Sequence, residues 1–245
     1  MKKTIAVWFS CGAASAIAAK LTIDKFKKDY NILVVNNPVT EEHPDNRRFL
    51  KDVEEYIQHS IIEAKNPKYP SCSIVDVFER ERYMSGVQGA VCTRLLKREA
   101  RYHFEIIHRI DYHILGFTVD EWKRQKNFMQ RERADVIPLL CSELITKEDC
   151  FSILRRAGIK LPKIYELLYP NANCIGCIKS ESPTYWNMVR VDFPEVFIMR
   201  AVQSREIGCK LVKYKGKRIF LDELPPDAVG GKIKNWECGI FCDNY

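Results

Sequence analysis

Residues 4–21 read as a buried strand, a loop of small residues and a helix: Thr4-Ile-Ala-Val-Trp-Phe9, Ser10-Cys-Gly-Ala-Ala-Ser15, then Ala16-Ile-Ala-Ala-Lys-Leu21. The loop has almost no side-chain bulk and feeds directly into a helix N-terminus. Unpaired N–H groups and the positive end of the helix dipole make such a place attractive to an anion. Ser10, Gly12, Ala13 and Ser15 therefore form a candidate phosphate cradle at the carboxyl end of the first strand of an α/β sheet. An ordinary strand-to-helix turn uses the same small residues, so the rest of the chain has to decide between the two.

The chain of 245 residues carries a net charge of +7, with 29% charged and 46% hydrophobic residues. These fractions describe a folded globular chain with room for one large α/β domain, or a domain with an appendage, and exclude a disordered protein. No apolar run reaches the ~20 residues that span a bilayer, so no membrane partner is expected. Lys2 and Lys3 precede an apolar stretch, but Ser10 to Ser15 interrupts it and Lys20 and Asp24 follow. The start thus reads as a core strand and helix, not a signal peptide, and a cytoplasmic location is expected. The positive excess suits a polyanion, either a phosphorylated small molecule or nucleic acid, without choosing between them. Ten cysteines in a reducing compartment argue for metal or redox chemistry over a disulfide framework.

Further buried strands are expected at 31–35, 60–64, 112–117 and 136–140, and helices at about 46–59, 74–83, 92–108, 120–133 and 147–157. Thr146 caps the last of these and Gly158 stops it. The alternation predicts an α/β, Rossmann-like parallel sheet of about five strands with helices on both faces. Beyond Lys160 the pattern changes: 162–173 is irregular, 185–207 reads as one long amphipathic helix, and 218–221 as an edge strand. The expected organisation is an α/β core over 1–160 and a helical extension over 161–245, packed on the core as one unit.

The sequence Asn173-Cys-Ile-Gly-Cys-Ile178 is a CxxC with a glycine between the thiols, and Trp236-Glu-Cys-Gly-Ile-Phe-Cys242 supplies two more cysteines. Cys92 begins a helix, where the dipole favours a thiolate. Cys92, Cys174, Cys177 and one tail cysteine are candidate metal ligands, and their spacing suits zinc as well as a cluster. Cys72, Cys141, Cys150 and Cys209 sit among apolar or helical neighbours and read as packing residues. His43 reads as a solvent-exposed loop residue, and the other histidines lack ligand spacing.

Four motifs carry a resemblance. The loop Phe9 to Ala16 is similar to the phosphate loop of the phosphoadenosine phosphosulfate (PAPS) reductase family, in the adenine nucleotide alpha-hydrolase-like (PP-loop) superfamily. Leu115-Gly-Phe-Thr-Val-Asp-Glu121 with Arg124 resembles the family's segment after the fourth strand. Val91-Cys-Thr-Arg-Leu-Leu-Lys97 and Cys174/Cys177 resemble its cluster-ligating motifs, and Glu237-Cys-Gly-Ile240 its nucleophile-bearing tail. ATP-hydrolysing relatives carry Ser-Gly-Gly-Lys-Asp-Ser, whereas Ala13 and Ala14 match the reductase version. The chain departs from the family at Thr118, where an arginine is common, at a single Cys92 in place of a doubled cysteine, and at Phe241-Cys242 in place of a terminal histidine.

The resemblance implies a thiol-dependent reductase of an adenylyl sulfate, with Cys238 as nucleophile and sulfite as product. It implies adenine nucleotide contacts from Ser10, Gly12, Ala13, Ser15, Gly116, Glu121 and Arg124. It also implies a [4Fe–4S] cluster on Cys92, Cys174, Cys177 and Cys242, with zinc as the alternative, and an external dithiol such as thioredoxin. Two alternatives stay open: an iron–sulfur, ATP-using sulfurtransferase that thiolates tRNA or DNA, and a nucleotide-binding protein without turnover. Which of Cys238 and Cys242 is nucleophile and which is ligand also stays open.

Overall fold

The structure, a computed structural model, describes residues 2–86 and 89–230. In chain order these form β1 (Thr4–Trp8), α1 (Ala13–Phe26), β2 (Asn31–Asn36), α2 (Asn46–Ile57), β3 (Ile61–Glu63) and α3 (Ile74–Glu81). A short hairpin, β4 (Ser85–Gly86) and β5 (Gly89–Ala90), precedes a π-helical segment, Thr93–Glu99, that continues as α4 (Ala100–Ile107). Then come β6 (Tyr112–Ile114), α5 (Trp122–Arg131), β7 (Val136–Ile137), α6 (Leu139–Ser142) and α7 (Lys147–Arg156). The helices α8 (Pro183–Asp192) and α9 (Pro194–Ile207) and the hairpin β8 (Val212–Tyr214) and β9 (Lys217–Ile219) complete the set. No helix among the described residues is long and apolar enough to cross a membrane.

The chain divides into two compact units: one runs up to Pro38 and includes Pro44–Ala64 and Arg101–Glu166; the other takes Val39–His43, Lys65–Ala100 and the described residues from Leu167 on. This division does not follow the expected single cut at residue 160. Residues to 166 stay with the first unit because Arg48 donates to the carbonyls of Lys160 and Leu161, both at 3.1 Å, and Asp45 accepts from the Lys163 N–H at 2.8 Å. Residues 39–43 go with the second because Ile175 N–H donates to the Glu41 carbonyl at 2.9 Å and Thr40 N–H to the Cys72 carbonyl at 3.0 Å.

The first unit is the α/β fold expected. Its five strands are all parallel in the order β3-β2-β1-β6-β7 and flanked by helices, a Rossmann-like arrangement. Ile5 pairs with Ile32 on one side and Tyr112 on the other. On one face Ile5, Val7, Phe9 and Ile114 pack with Ala16 and Ile17 of α1 and Leu154 of α7. Thr146 and Asp149 form the reciprocal cap that starts α7.

Trp8 and His113 lie together in a network that the histidine spacing did not reveal. Trp8 Nε1–H donates to His113 Nδ1 at 3.0 Å, which leaves the imidazole proton on Nε2. Nε2 is 3.5 Å from Glu105 and 3.7 Å from Asp135, and Arg133 is hydrogen-bonded to both carboxylates. Burial, reinforced by the Arg133 charge and opposed by Glu105 and Asp135, pushes the imidazole down to about 4.

Several elements differ from expectation for local reasons. The fifth strand stops at Ile137 because Pro138 has no N–H for the ladder, and Ser142 N–H closes a helical turn on the Pro138 carbonyl. The fourth stops at Ile114, ahead of Gly116. The expected helix at 185–207 is two, because Pro194 cannot continue a helix and drives Phe193 to φ −141°, ψ 64°. Of the expected strand at 218–221, residues 218–219 belong to a separate antiparallel hairpin, β8–β9, whose turn residues Lys215 and Gly216 have φ of 46° and 78°, and Leu221 starts a 3-10 turn. His43 is half-buried, edge-on to Phe193 at 6.0 Å, not solvent-exposed.

Because the folded His113 pKa lies below the unfolded 6.5, the unfolded chain binds the extra proton first on acidification. Stability from this group is expected to be full above about pH 6.5 and to fall as pH drops toward 4. Urea unfolding across this range should show that slope, and His113→Gln should flatten it.

Candidate functional site

β1 is where the strand order reverses direction, with β2 on one side and β6 on the other. Open α/β sheets bind ligands at such a point, beyond the carboxyl ends of the strands. Ser10–Ser15 follows β1 there, and the segment from Gly116 follows β6. Phe9 N–H donates to the Val35 carbonyl at 2.8 Å, and Asn36 Nδ2 donates to the Phe9 carbonyl at 2.8 Å, which fixes the loop to the end of β2. Cys11 is buried in the left-handed region at φ 55°, a conformation that costs ~1 kcal/mol for a residue with a Cβ. Gly12 is extended and caps α1 without a side chain, and no acidic residue stands in the first turn.

The two serines organise the loop internally. Ser15 Oγ accepts from Ser10 N–H at 3.1 Å, donates to the Gly12 carbonyl at 2.9 Å, and lies 3.3 Å from Ser10 Oγ. Ala13 is buried and Ala14 half-buried, so no side-chain charge stands at the helix start. Gly116 serves this loop through its missing side chain: a Cβ there would stand 2.7 Å from Ser15 N and 3.0 Å from Ser15 Cα. Glu121 and Arg124 pair with each other at 2.6 Å, and the Arg124 guanidinium lies 4.8 Å from the Phe117 ring centroid. Thr118 is buried, and the Cys141 thiol donates to the carbonyls of Phe117 and Thr118. Burial pushes Cys141 up to about 11 and Cys150 to about 12, which agrees with their reading as packing thiols.

Sequence reasoning missed Tyr165. Its hydroxyl would stand 3.4 Å from a Cβ on Gly12, and its ring packs on Phe151 with the Lys147 ammonium 5.9 Å from its centroid. The residue lies in a stretch with no periodicity, so only the tertiary position gives it a role.

The second unit holds the cysteine motifs. Ile175 N–H bonds to the Glu41 carbonyl, and Cys174 forms an antiparallel bridge with Glu42. Cys177 N–H donates to Tyr185 Oη at 2.7 Å. Gly176 has φ +68°, and a Cβ on it would stand 3.0 Å from Val196 Cγ1 of α9. Cys174 and Cys177 are buried, while half-buried Cys92 leads into the π-helical segment. Cys238 and Cys242 lie outside the described residues.

Among the described residues, no three or more His, Cys, Asp or Glu side chains form a metal-binding group. One observation bears on the fit of a thiolate-bound centre. Arg200, on α9, is 0% exposed, and its Nε and Nη2 find no hydrogen-bond partner among the described residues. The charges that act on it include Glu41, Cys92, Cys174 and Cys177. A buried, under-satisfied cation acted on by one carboxylate and three cysteines fits an anionic thiolate centre and does not fit an all-neutral apolar core.

No protein-family model matches the chain, and no curated protein sequence matches it.

Gly116→Ala must push the first turn of α1 away from β6, because the Cβ meets backbone and not a movable side chain. It is expected to destabilise the protein by ~1–3 kcal/mol, measured as a lower urea midpoint. Gly158→Ala, whose Cβ would have nothing within 4 Å, strains only its own left-handed backbone and is the control for backbone effects.

Proposed function

We propose that the chain is a thiol-dependent reductase of an adenylyl sulfate of the PAPS type, working in the cytoplasm. The observation that carries this reading is the small, uncharged Ser10–Ser15 loop at the reversal of strand order, closed by Gly116. In the proposed complex, the N–H groups at the start of α1 and the serine hydroxyls hold phosphate or sulfonate oxygens, and Tyr165 and Arg124 are further candidate contacts. Ala13 and Ala14, where ATP-hydrolysing relatives carry Lys and Asp, support adenylyl-sulfate reduction over pyrophosphate release.

The Cys238 thiolate attacks the sulfonate sulfur. Its S–S bond forms as the S–O bond to phosphate breaks, leaving an S-sulfocysteine and the free nucleotide. An external dithiol then attacks Sγ of Cys238, sulfite departs, and the second thiol closes the dithiol into a disulfide, regenerating Cys238. The thiolate form is required, so the step slows as pH falls below the cysteine pKa. Cys92, Cys174, Cys177 and Cys242 would hold the iron–sulfur centre, which supplies a thiolate cross-link between the CxxC turn and the π-helical segment.

Treatment of the anaerobically purified protein with PAPS should give an S-sulfo adduct at Cys238 by mass spectrometry. Cys238→Ser should keep nucleotide binding and metal but lose sulfite release, whereas Cys242→Ser and the double variant Cys174→Ser/Cys177→Ser should lose metal. Gly12→Ala has only ordinary contacts and should bind nucleotide; Gly12→Asp sets a carboxylate among the serine hydroxyls and should abolish binding in calorimetric titration. ATP cleavage to AMP and pyrophosphate, with no adduct from PAPS, would overturn the reductase reading in favour of sulfur transfer to nucleic acid.

A further inference from the structure

Arg200 stands where a helix face should be apolar. Phe197, Ala201 and Ser204 are buried on α9 at positions i, i+4 and i+7, and Arg200 fills i+3 of the same stripe. Its guanidinium lies 4.9 Å from the Phe78 ring centroid. Nη1 donates to Gln203 Oε1, and Gln203 Nε2 is held in turn by the Val75 carbonyl at 3.2 Å. Among the described residues that leaves Nε and Nη2 without an acceptor, in a site closed to solvent. An arginine does not shed its proton to escape such a position, and although the Glu41 charge acts on it, the two N–H donors still need acceptors. The CxxC turn is at hand: Gly176 abuts Val196, one helical turn before Arg200 on the same face of α9.

We infer that Arg200 is a positioning residue of the thiolate centre, donating from Nε and Nη2 to its sulfur atoms and balancing its negative charge. The inference rests on the reading of Cys92, Cys174 and Cys177 as ligands. Ligand sulfurs that accept hydrogen bonds beside a fixed cation hold their metal more tightly, and the centre is easier to reduce. Phe78 and Gln203 fix the guanidinium plane, so a point-charge ammonium does not reproduce its two free donors.

The test uses the full chain purified without oxygen, as wild type, Arg200→Lys and Arg200→Met, with iron, sulfide and zinc counted per chain. Wild type labelled with ¹⁵N in the arginine guanidinium and reduced to a paramagnetic state should show nitrogen coupling to the centre by pulsed electron paramagnetic resonance. Arg200→Lys should lose that coupling and keep part of the metal retention. Arg200→Met should shift the midpoint potential to more negative values and release metal to a chelator about tenfold faster or more. If Arg200→Met does not fold, the wild-type coupling and the lysine variant decide; if the metal is zinc, the chelator ratio decides. A wild type that carries the centre without arginine coupling, or variants with unchanged release and potential, would overturn the role of Arg200 and leave the ligand assignment standing. A wild type with neither iron nor zinc would overturn the ligand assignment, and the role of Arg200 with it.

Discussion

The first turn of α1 can lie against the end of β6 only because residue 116 has no side chain. Any Cβ there would sit 2.7 Å from the Ser15 nitrogen. This one backbone approach brings the ends of the two strands at the sheet's reversal point together, and it sets where the α1 N–H groups face. The remaining local choices are consistent with it. Gly12 is extended, Cys11 accepts a left-handed backbone, and Asn36 holds the Phe9 carbonyl from β2. A loop that tolerates such strain is held by its surroundings, the usual condition of a ligand-binding turn.

In the second unit the governing constraint is charge. Arg200 and Lys97 are both buried, at 0% and 6% exposure. Lys97 has Glu42 at 3.7 Å. Glu41, the other nearby carboxylate, is committed to the start of α3 through Ser73 and the Ile74 N–H. Glu41 keeps its charge there and is the foremost anion acting on the arginine, with Cys92, Cys174 and Cys177 next. Isolated ions are costly to bury, and a cation beside neutral thiols would be among the most expensive groups in this unit. On the proposed ligand assignment, deprotonated, ligated sulfurs would lower that cost and so couple folding of the unit to the state of its cysteines. The π-helical turn after Cys92 belongs to the same place, since such turns accumulate where a helix is bent to serve a site.

Much of the sheet was legible from sequence because burial and period are local. Apolar runs at 4–9 and 31–35 and the Thr146 cap each declare themselves within a few residues. The errors are of two kinds. Local ones arose where proline overrides an apolar pattern: Pro138 ended β7 and Pro194 split the helix expected at 185–207. Tertiary ones arose where a polar residue is explained only by a partner far along the chain. His113 takes its meaning from Trp8, 105 positions away, and residues 39–43 join the second unit through Ile175. Arg200 was within reach, since an arginine inside the 197, 201, 204 stripe breaks the helical pattern. The cysteines legible by spacing lie in the second unit at 92, 174 and 177, but spacing carries no information on Tyr165.

The absence of a lysine in the Ser10–Ser15 loop has a consequence for the chemistry. A helix N-terminus offers roughly half a positive charge, too little to balance a nucleotide bearing several phosphate or sulfonate charges. The loop's serine hydroxyls add dipoles but no charge, so cations have to come from neighbouring elements. Lys147, at the first position of α7 and beside the Tyr165 ring, and Arg124, already paired with Glu121, are two such cations of the first unit. On the proposed reaction, charge grows on the oxygen that bridges sulfur and phosphorus as the S–O bond breaks. Backbone N–H groups fixed by the Gly116 approach suit a single developing charge of that kind, because they need not reorganise when it appears. Departure of pyrophosphate concentrates more negative charge on the leaving group and asks for a cation in the loop itself. The pair Ala13-Ala14 withholds it, so on the proposed function the choice of reaction rests on two side chains that contribute nothing but their size.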